Sequence, residues 1–313
     1  MGRRRVGAKA FNVYRFSCPS LPFFLRLEMF LNGDKSRANI PALFRYQMRV
    51  KQFIRLTLAS ICLIAFVGCK TNSPSALRQP PAGKRCTYVL VHGAWGGGWD
   101  WKHVDQLLTA DGNEVYRPTL TGQGEHSNLS STNIDLDTHI QDIVNVILWE
   151  NLHDVVLVGH SYGGMVITGV ADRVPDRIKH LVYLDALLPE NGENVDAILP
   201  PKVPRTIKDG FVIPIWVAGN PPPPHDVPQS ARTFSEPITL TNQAVAEKLP
   251  ATYILTVDMG KSPEQDDFCP CYERAKTRGW TTHIMEGDHN VQRSHPVELV
   301  KLLESAPAEM SAR

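Results

Sequence analysis

The sequence is poor in cysteine and lacks any apolar run long enough for a helix that spans a bilayer. Six cysteines in 313 residues exclude a small scaffold held together by many disulfides. With 42% hydrophobic and 21% charged residues, the composition also excludes a disordered, collagen-like or coiled-coil chain. A chain of this length and composition predicts one or two globular domains.

The chain also has almost no net charge, because two oppositely charged parts cancel. Residues 1–70 carry 13 Lys and Arg against 2 Asp and Glu, a balance of +11. Residues 71–313 carry 20 against 30, a balance of −10. Such segregation predicts two different segments joined end to end.

Residues 48–69 have the features of a secretory signal. Basic residues precede the apolar run Leu56–Val67, and the run ends in Gly68-Cys69 before a polar stretch. This arrangement resembles the lipobox of bacterial lipoproteins, in which cleavage leaves the cysteine as the lipid-bearing first residue. The resemblance implies lipidation of Cys69, attachment to the membrane through that lipid anchor and a location in the bacterial cell envelope. An uncleaved membrane anchor and a plain signal peptide are the alternatives.

The segments on either side of this signal predict no folded structure. Residues 1–47 show no sustained helical or strand period, and we interpret them as a non-native or disordered extension upstream of a true start at Met48. A basic arm that binds nucleic acid or anionic lipid is the alternative. We predict that the chain has no nucleic-acid partner. Residues 70–85, rich in Ser, Pro, Ala and Gly, predict a linker to a folded domain over residues 86–308. Processing at Cys69 would leave a mature chain with a balance of −9.

Three cysteines remain in the folded part, namely Cys86, Cys269 and Cys271. An odd number allows one disulfide in an oxidising compartment, and the sequence leaves the pair open. The Cys-Pro-Cys segment has no second pair of ligands and therefore does not predict a metal site. We expect neither a metal nor another cofactor.

From residue 87 onward, strand-like and helix-like segments alternate. Apolar, β-branched runs predict buried strands over Thr87–His92, Asp154–Gly159, Ile178–Leu184, Ala251–Val257 and Thr281–Met285. The intervening segments predict helices over Trp101–Ala110, Asp135–Trp149, Gly163–Val174, Asp267–Arg278 and Pro296–Leu303. The alternation predicts an α/β fold with a mostly parallel, doubly wound sheet.

The motif Gly159-His160-Ser161-Tyr162-Gly163 lies where a predicted strand ends and a predicted helix begins. In that context G-x-S-x-G forms a turn so tight that the serine hydroxyl is exposed on a strained backbone. The helix that follows directs main-chain N–H groups toward negative charge that develops beside the serine. Ser161 is therefore the predicted catalytic nucleophile.

A nucleophilic serine needs a base and an orienting acid, which in this architecture follow it in the order acid, then histidine. Of the histidines near the end of the chain, His289 lies in a loop after the last strand, whereas His283 lies within that strand and His295 begins a helix. We favour His289 as the base. Asp258 and Asp185 both follow predicted strands, and we favour Asp258 as the acid over Asp185.

The loop after the first strand is rich in glycine and reads His92-Gly93-Ala94-Trp95-Gly96-Gly97-Gly98. Glycines let the main chain approach a substrate carbonyl, so the Ala94 N–H and the Tyr162 N–H are predicted to form the oxyanion hole. The run lacks the G-x-G-x-x-G spacing and a Walker lysine, and it therefore does not predict nucleotide binding.

Five motifs, in this order, resemble the α/β-hydrolase superfamily, most closely its branch of bacterial esterases, plant methylesterases and hydroxynitrile lyases. They are Val89–Trp95, Gly159–Gly164, Tyr183–Ala186, Thr256–Asp258 and Gly287–His289. The resemblance implies a triad of Ser161, Asp258 and His289 and the oxyanion pair Ala94 and Tyr162.

The same resemblance bears on the reaction. Lyases of this branch typically have Thr in place of Gly93 and Lys after the catalytic histidine, where this chain has Asn290. These differences favour a serine esterase that cleaves carboxylic esters through an acyl-enzyme. A non-hydrolytic member of the superfamily, whether a lyase, a perhydrolase or a surface binding protein, is the alternative.

Residues 188–249, between two predicted strands, are too many for a simple turn and predict a small cap over the active site. Trp95, Trp99 and Trp216 are predicted to contact the substrate, while Trp101 is either part of the pocket or packed in a helix. These residues favour a small or medium apolar ester as the small-molecule substrate, with no side chain that would recognise a charged one. The sequence does not indicate an oligomeric state.

Overall fold

The computed structural model describes residues 85–199 and 204–307. The N-terminal extension, the signal with Cys69 and nearly all of the linker lie outside these residues, so the lipid anchor and the cell-envelope location stay predictions. No helix within the described residues is long and apolar enough to cross a membrane.

A six-stranded sheet forms the centre of the folded domain that the structure describes. The strands of the described residues are β1 Thr87–Val91, β2 Glu114–Tyr116, β3 Val155–His160, β4 Ile178–Leu184, β5 Ile207–Lys208, β6 Phe211–Val212, β7 Gln229–Ser230, β8 Ala251–Val257 and β9 Thr281–Glu286. The central sheet has the order β2-β1-β3-β4-β8-β9, and every pairing in it is parallel. The predicted α/β fold with a mostly parallel sheet is thus confirmed.

Helices connect these strands. They are α1 Lys102–Ala110, α2 Leu136–Trp149, α3 Gly163–Arg173, α4 Val195–Ile198, α5 Arg232–Ser235, α6 Gln243–Ala246, α7 Cys269–Thr277, α8 Val291–Ser294 and α9 Pro296–Ser305. Short 3-10 turns occur at Gly98–Trp101, Gly124–Leu129, Pro175–Arg177 and Pro263–Gln265. The five predicted strands and five predicted helices agree with the structure to within two residues at each end. Strand β2 was not predicted, because its three residues form no apolar run.

Helix α2 shows how local sequence sets these elements. The Asp135 carboxylate accepts a hydrogen bond from the Thr138 N–H at 3.0 Å and so caps the helix at its N-terminus. Ile140, Ile143 and Ile147 then recur at helical spacing and are all buried. The cap and the apolar stripe together define where the helix begins and which face packs on the sheet.

Strand β3 shows why the central strands are apolar throughout. Val155 and Leu157 belong to the core cluster on one face of the sheet, with α2 and α3. Val156 and Val158 belong to the cluster on the other face, with α1 and α9. Because successive side chains point to opposite faces, a strand covered on both sides must be apolar at every position.

The segment predicted as a cap, residues 188–249, contains a separate sheet. Strands β5, β6 and β7 pair in an antiparallel manner, and the short helices α4, α5 and α6 lie in the same segment. Hydrogen bonds fasten it to the body: the Leu136 N–H donates to the Glu236 carboxylate at 2.8 Å, and the Asn242 N–H donates to the Asp172 carboxylate at 2.6 Å.

The described cysteines Cys86, Cys269 and Cys271 are not joined to one another by a disulfide. Nor do the described residues bring together three His, Cys, Asp or Glu side chains that could hold a metal ion.

Candidate active site

Ser161 lies in the turn between β3 and α3 with a left-handed φ of 53°. The glycines around it are required by close backbone contacts. A Cβ on Gly159 would lie 2.7 Å from the Gly163 carbonyl oxygen, and a Cβ on Gly164 would lie 2.0 Å from the Leu187 carbonyl oxygen. Strain at a non-glycine residue persists where the surroundings enforce it, and it is typical of functional sites.

The structure places the predicted nucleophile, base and oxyanion loop around one cavity. Ser161, His289, Gly93 and Ala94 all line a cavity of about 360 Å³. Each comes from the carboxyl end of a parallel strand or from the loop after it, where ligand sites of open α/β sheets form.

The acid beside His289 is Asp185, which corrects our preference for Asp258. Asp185 is buried, and its Oδ2 lies 2.5 Å from the His289 Nδ1. Its Oδ1 accepts a hydrogen bond from the Thr256 N–H at 3.1 Å. The exposed Asp258 carboxylate accepts a hydrogen bond from the Lys261 Nζ at 2.7 Å instead.

The pattern of strands could not separate the two acids, because both directly follow a strand and the strands β4 and β8 are neighbours. A signal was nonetheless present in the residues nearby. Asp258 has a lysine three positions later, whereas Asp185 stands in an apolar segment without a nearby cation. A buried carboxylate in that setting needs a partner from elsewhere in the fold, and His289 is that partner.

The ring of His289 contacts two other rings. Phe268 stacks on it with ring centroids 5.0 Å apart, and the His160 ring lies 4.6 Å away. The His160 Nε2 donates a hydrogen bond to the His289 carbonyl oxygen at 2.7 Å, while its Nδ1 accepts one from the Gln292 amide at 3.3 Å. Burial lowers the pKa of His160 well below its ordinary value, so this ring is neutral and fixes the main chain of the base.

The two predicted oxyanion donors have no competing acceptor. Among the described residues, neither the Ala94 N–H nor the Tyr162 N–H donates a hydrogen bond to another main-chain or side-chain atom. The Gly93 carbonyl, which shares a peptide unit with the Ala94 N–H, accepts a hydrogen bond from the His92 Nδ1 at 2.8 Å. The His92 Nε2 accepts one from the Leu120 N–H at 3.0 Å, and burial lowers the pKa of His92 to about 4. A neutral, buried histidine therefore orients one of the donors.

Tyr162→Phe is expected to lower the free energy of unfolding by about 1–3 kcal/mol and to leave turnover per active site nearly unchanged. The Tyr162 hydroxyl donates a hydrogen bond to the His139 Nδ1 at 3.0 Å, and the His139 Nε2 donates to the Thr121 carbonyl at 3.0 Å. The substitution leaves a buried nitrogen without its donor but keeps the main-chain N–H. Urea unfolding measures the change in stability, and kinetics normalised to the titrated concentration of active sites measure the turnover. A large fall in kcat at unchanged stability would mean that the hydroxyl itself acts in the reaction.

The tryptophans separate into three environments. Trp95 and Trp216 line the cavity and meet edge to face, with ring centroids 5.0 Å apart. Trp99 lies beneath the Arg293 guanidinium, which is 4.4 Å from its ring centroid. Trp101 is fully buried in the core, so it packs there and is not part of the pocket.

Three charged side chains that the sequence reasoning missed line the cavity, namely Asp100, Asp226 and Arg293. The Arg293 Nη2 contacts the Asp100 carboxylate and lies 3.7 Å from the Asp226 Oδ1. Burial raises the pKa of Asp100 to about 6. Part of the cavity wall is therefore charged, with two carboxylates facing one guanidinium. Because these residues lie far apart in sequence, no local pattern connects them.

Comparison with known proteins gives matches to a family model, to protein sequences and to a solved structure. A sequence model of the Alpha/beta hydrolase family matches residues 88–302. The chain is 37% identical over 239 residues to the "Carbendazim hydrolyzing esterase" of Nocardioides sp. (strain SG-4G), which covers 69% of this chain and 97% of that protein. It is 25% identical over 278 residues to "Methylesterase 17" of Arabidopsis thaliana, covering 77% of this chain and 98% of that one. An extracellular alpha/beta-hydrolase from a Paenibacillus species has the same fold, with a TM-score of 0.57 at 24% identity over 71% of this chain and 98% of that one.

Proposed function

Since the chain belongs to the alpha/beta hydrolase family, we propose that it is a serine esterase that cleaves carboxylic esters through an acyl-enzyme. The observation that carries the proposal is the 2.5 Å contact between the His289 Nδ1 and Asp185 beside the cavity that holds Ser161. The two relatives with the names of esterases support the same reaction type.

The first half of the reaction acylates Ser161. An ionised Asp185 can only accept a hydrogen bond, so the His289 Nδ1 carries a proton and its Nε2 is the basic nitrogen. This nitrogen takes the Ser161 proton as the Oγ attacks the ester carbonyl. The carbonyl electron pair moves to oxygen, where the N–H groups of Ala94 and Tyr162 stabilise the negative charge.

The second half returns the enzyme to its starting state. His289, now an imidazolium stabilised by Asp185, gives its proton to the departing alcohol as the carbon–oxygen bond breaks. A water molecule then gives a proton to His289 and attacks the acyl-enzyme, and the acid leaves as Ser161 recovers its proton. The reaction consumes one water and needs no cofactor.

The cavity walls favour a neutral ester with an aromatic or compact apolar group. The cavity volume of about 360 Å³ and the edge-to-face pair of Trp95 and Trp216 suit such a group. With Asp100 and Asp226 both facing Arg293, a substrate carboxylate would meet more negative than positive charge.

Ser161→Ala is expected to reduce hydrolysis of p-nitrophenyl acetate and butyrate by at least about 10⁴-fold, because no other group forms the acyl-enzyme. Ser127→Ala, at an exposed position, is the matched control and should hydrolyse both esters like the wild type. Release of p-nitrophenol measures the rates. Absence of turnover in the wild type would overturn the esterase proposal and favour a non-hydrolytic member of the family. Turnover that survives the loss of Ser161 would overturn the proposal that this serine forms the acyl-enzyme.

A panel of acyl and aryl esters then defines the substrate range. Carbendazim belongs in that panel because a relative at 37% identity carries its name.

A further inference from the structure

Trp95, the residue after the proposed oxyanion donor Ala94, has an unusual backbone. Its φ is 62°, in the left-handed region that bulky side chains rarely adopt. A residue held there persists only when its surroundings enforce the conformation. The contacts of Trp95 therefore show what shapes the oxyanion loop.

The cap supplies those contacts. The Trp95 N–H donates to the Gln229 Oε1 at 2.8 Å, and the Trp95 carbonyl accepts from the Val227 N–H at 2.9 Å. The indole Nε1 donates to the Val212 carbonyl at 3.1 Å. The ring lies against Trp216, with centroids 5.0 Å apart. Every polar group of Trp95 is thus bonded to the segment 188–249.

Gln229 is the one side chain among these hydrogen-bond partners, and its own orientation is set. It lies on β7 and is only 1% exposed. Its Nε2 donates to the Thr233 Oγ1 at 2.7 Å, and Thr233 in turn donates to the Ser230 carbonyl at 2.8 Å. Because the Trp95 N–H can only donate, the amide oxygen must face Trp95 and the amide nitrogen Thr233.

The donor Ala94 thereby stands between two restrained peptide units. On one side, the His92 Nδ1 holds the Gly93 carbonyl, which belongs to the same peptide unit as the Ala94 N–H. On the other side, Gln229 holds the N–H of the next peptide unit. With both planes restrained, the two dihedral angles of Ala94 are restrained as well, and its N–H keeps one direction.

We propose that Gln229 is a positioning residue for the oxyanion hole, so that the cap takes part in the chemical step as well as covering the substrate. The proposal rests on the esterase function proposed above. An oxyanion donor acts only if it is aimed at the developing charge before the reaction. Without the Gln229 acceptor, the Trp95 N–H can turn and the strained loop can relax, which moves the Ala94 N–H away from the oxyanion.

Three variants test this role. Gln229→Leu removes the acceptor, whereas Gln229→Glu keeps an acceptor oxygen at the same place. Ser230→Ala is the matched control, because Ser230 is equally buried on β7 and its hydroxyl donates to the Thr132 carbonyl at 3.3 Å rather than to Trp95. Thermal unfolding and active-site titration express every rate per folded, competent molecule.

Two rates are measured for each variant: ester turnover and the second-order rate of labelling of Ser161 by a fluorophosphonate probe. Gln229→Leu is expected to lower both kcat and the labelling rate by about tenfold or more, with KM changed less than about threefold. Gln229→Glu should recover most of both rates, and Ser230→Ala should stay within about threefold of the wild type. Labelling needs the nucleophile and the oxyanion donors but no ester turnover. Failure of the esterase proposal would therefore appear in the turnover assay, and failure of the positioning proposal in the labelling assay.

If the probe labelled Gln229→Leu at the wild-type rate, the positioning role would be overturned, because the oxyanion hole would then form without the cap residue. A loss of equal size in Ser230→Ala would overturn it as well, since the effect would then belong to the stability of the cap.

Discussion

Asp185→Asn is expected to lower kcat for ester hydrolysis by about 10³–10⁴-fold, while Asp258→Asn should change it by less than about threefold. In the proposed mechanism the Asp185 carboxylate accepts a hydrogen bond from the His289 Nδ1 and stabilises the imidazolium that forms during the reaction. An asparagine amide in its place would present an N–H to that nitrogen and favour the wrong tautomer of the base. Steady-state kinetics on p-nitrophenyl butyrate measure both variants.

The two variants are matched, because each replaces a carboxylate by its isosteric amide and the two positions follow neighbouring strands. In Asp185→Asn the amide oxygen can still accept the hydrogen bond from the Thr256 N–H, so the fold is retained. Asp258 forms an ion pair with Lys261 at the surface, where such a pair contributes little to stability. The reverse result, with activity lost in Asp258→Asn and kept in Asp185→Asn, would restore the acid favoured by the sequence.

The second large effect is a steep loss of stability in mild acid. Burial lowers the pKa of His92, His139 and His180 to about 4 and that of His160 well below its ordinary value. These histidines take up protons near pH 6.5 in the unfolded chain and not in the folded protein. Their stabilisation is therefore complete above pH 6.5 and is lost as the pH falls toward the folded-state values. Burial raises the pKa of Asp100 to about 6, so this carboxyl group binds up to one more proton in the folded than in the unfolded state. It therefore partly offsets the effect of the histidines on stability.

The net difference near pH 5.5 is about three protons, which corresponds to ~4 kcal/mol of unfolding free energy per pH unit. Because a domain is stable by only about 5–15 kcal/mol, two pH units should remove most of its stability. Urea unfolding at a series of pH values between 7.5 and 5 measures this slope. A flat profile over that range would show that the buried histidines are hydrated or charged in the folded protein.

His180→Leu isolates one of these groups. Among the described residues the His180 Nδ1 has no hydrogen-bond partner, and its Nε2 contacts the Thr252 hydroxyl at 2.9 Å. Its replacement should reduce the slope by about one proton, or ~1.4 kcal/mol per pH unit. His103→Leu is the control at an exposed position and should leave the slope as it is in the wild type.

Much of the fold was predictable because its signals are local. Apolar strands such as Val155–His160 and the stripe of isoleucines in α2 follow from the periodicity of side chains on strands and helices. Strand β2 lacked such a signal, since three residues at the sheet edge need no apolar run. The two-residue strands of the cap were equally invisible, because their pairing depends on the segments that surround them.

The candidate site was predictable in part for the same reason. Ser161 is marked by a local motif, in which glycines at fixed spacing flank the serine at the end of an apolar strand. His289 follows from its loop after the last strand. The acid could not be chosen in this way, since Asp185 and Asp258 occupy equivalent positions after neighbouring strands.

The sequence by itself determined the parallel α/β sheet, the serine turn, the glycine-rich loop after the first strand and the histidine after the last strand. Each of these depends on backbone sterics and periodicity over a few consecutive residues. The tertiary structure alone decided that Asp185 pairs with His289, that Asp100, Asp226 and Arg293 share the cavity, and that Gln229 holds Trp95. These contacts join residues at least 67 positions apart, so they exist only once the chain has folded and burial has made each polar partner necessary.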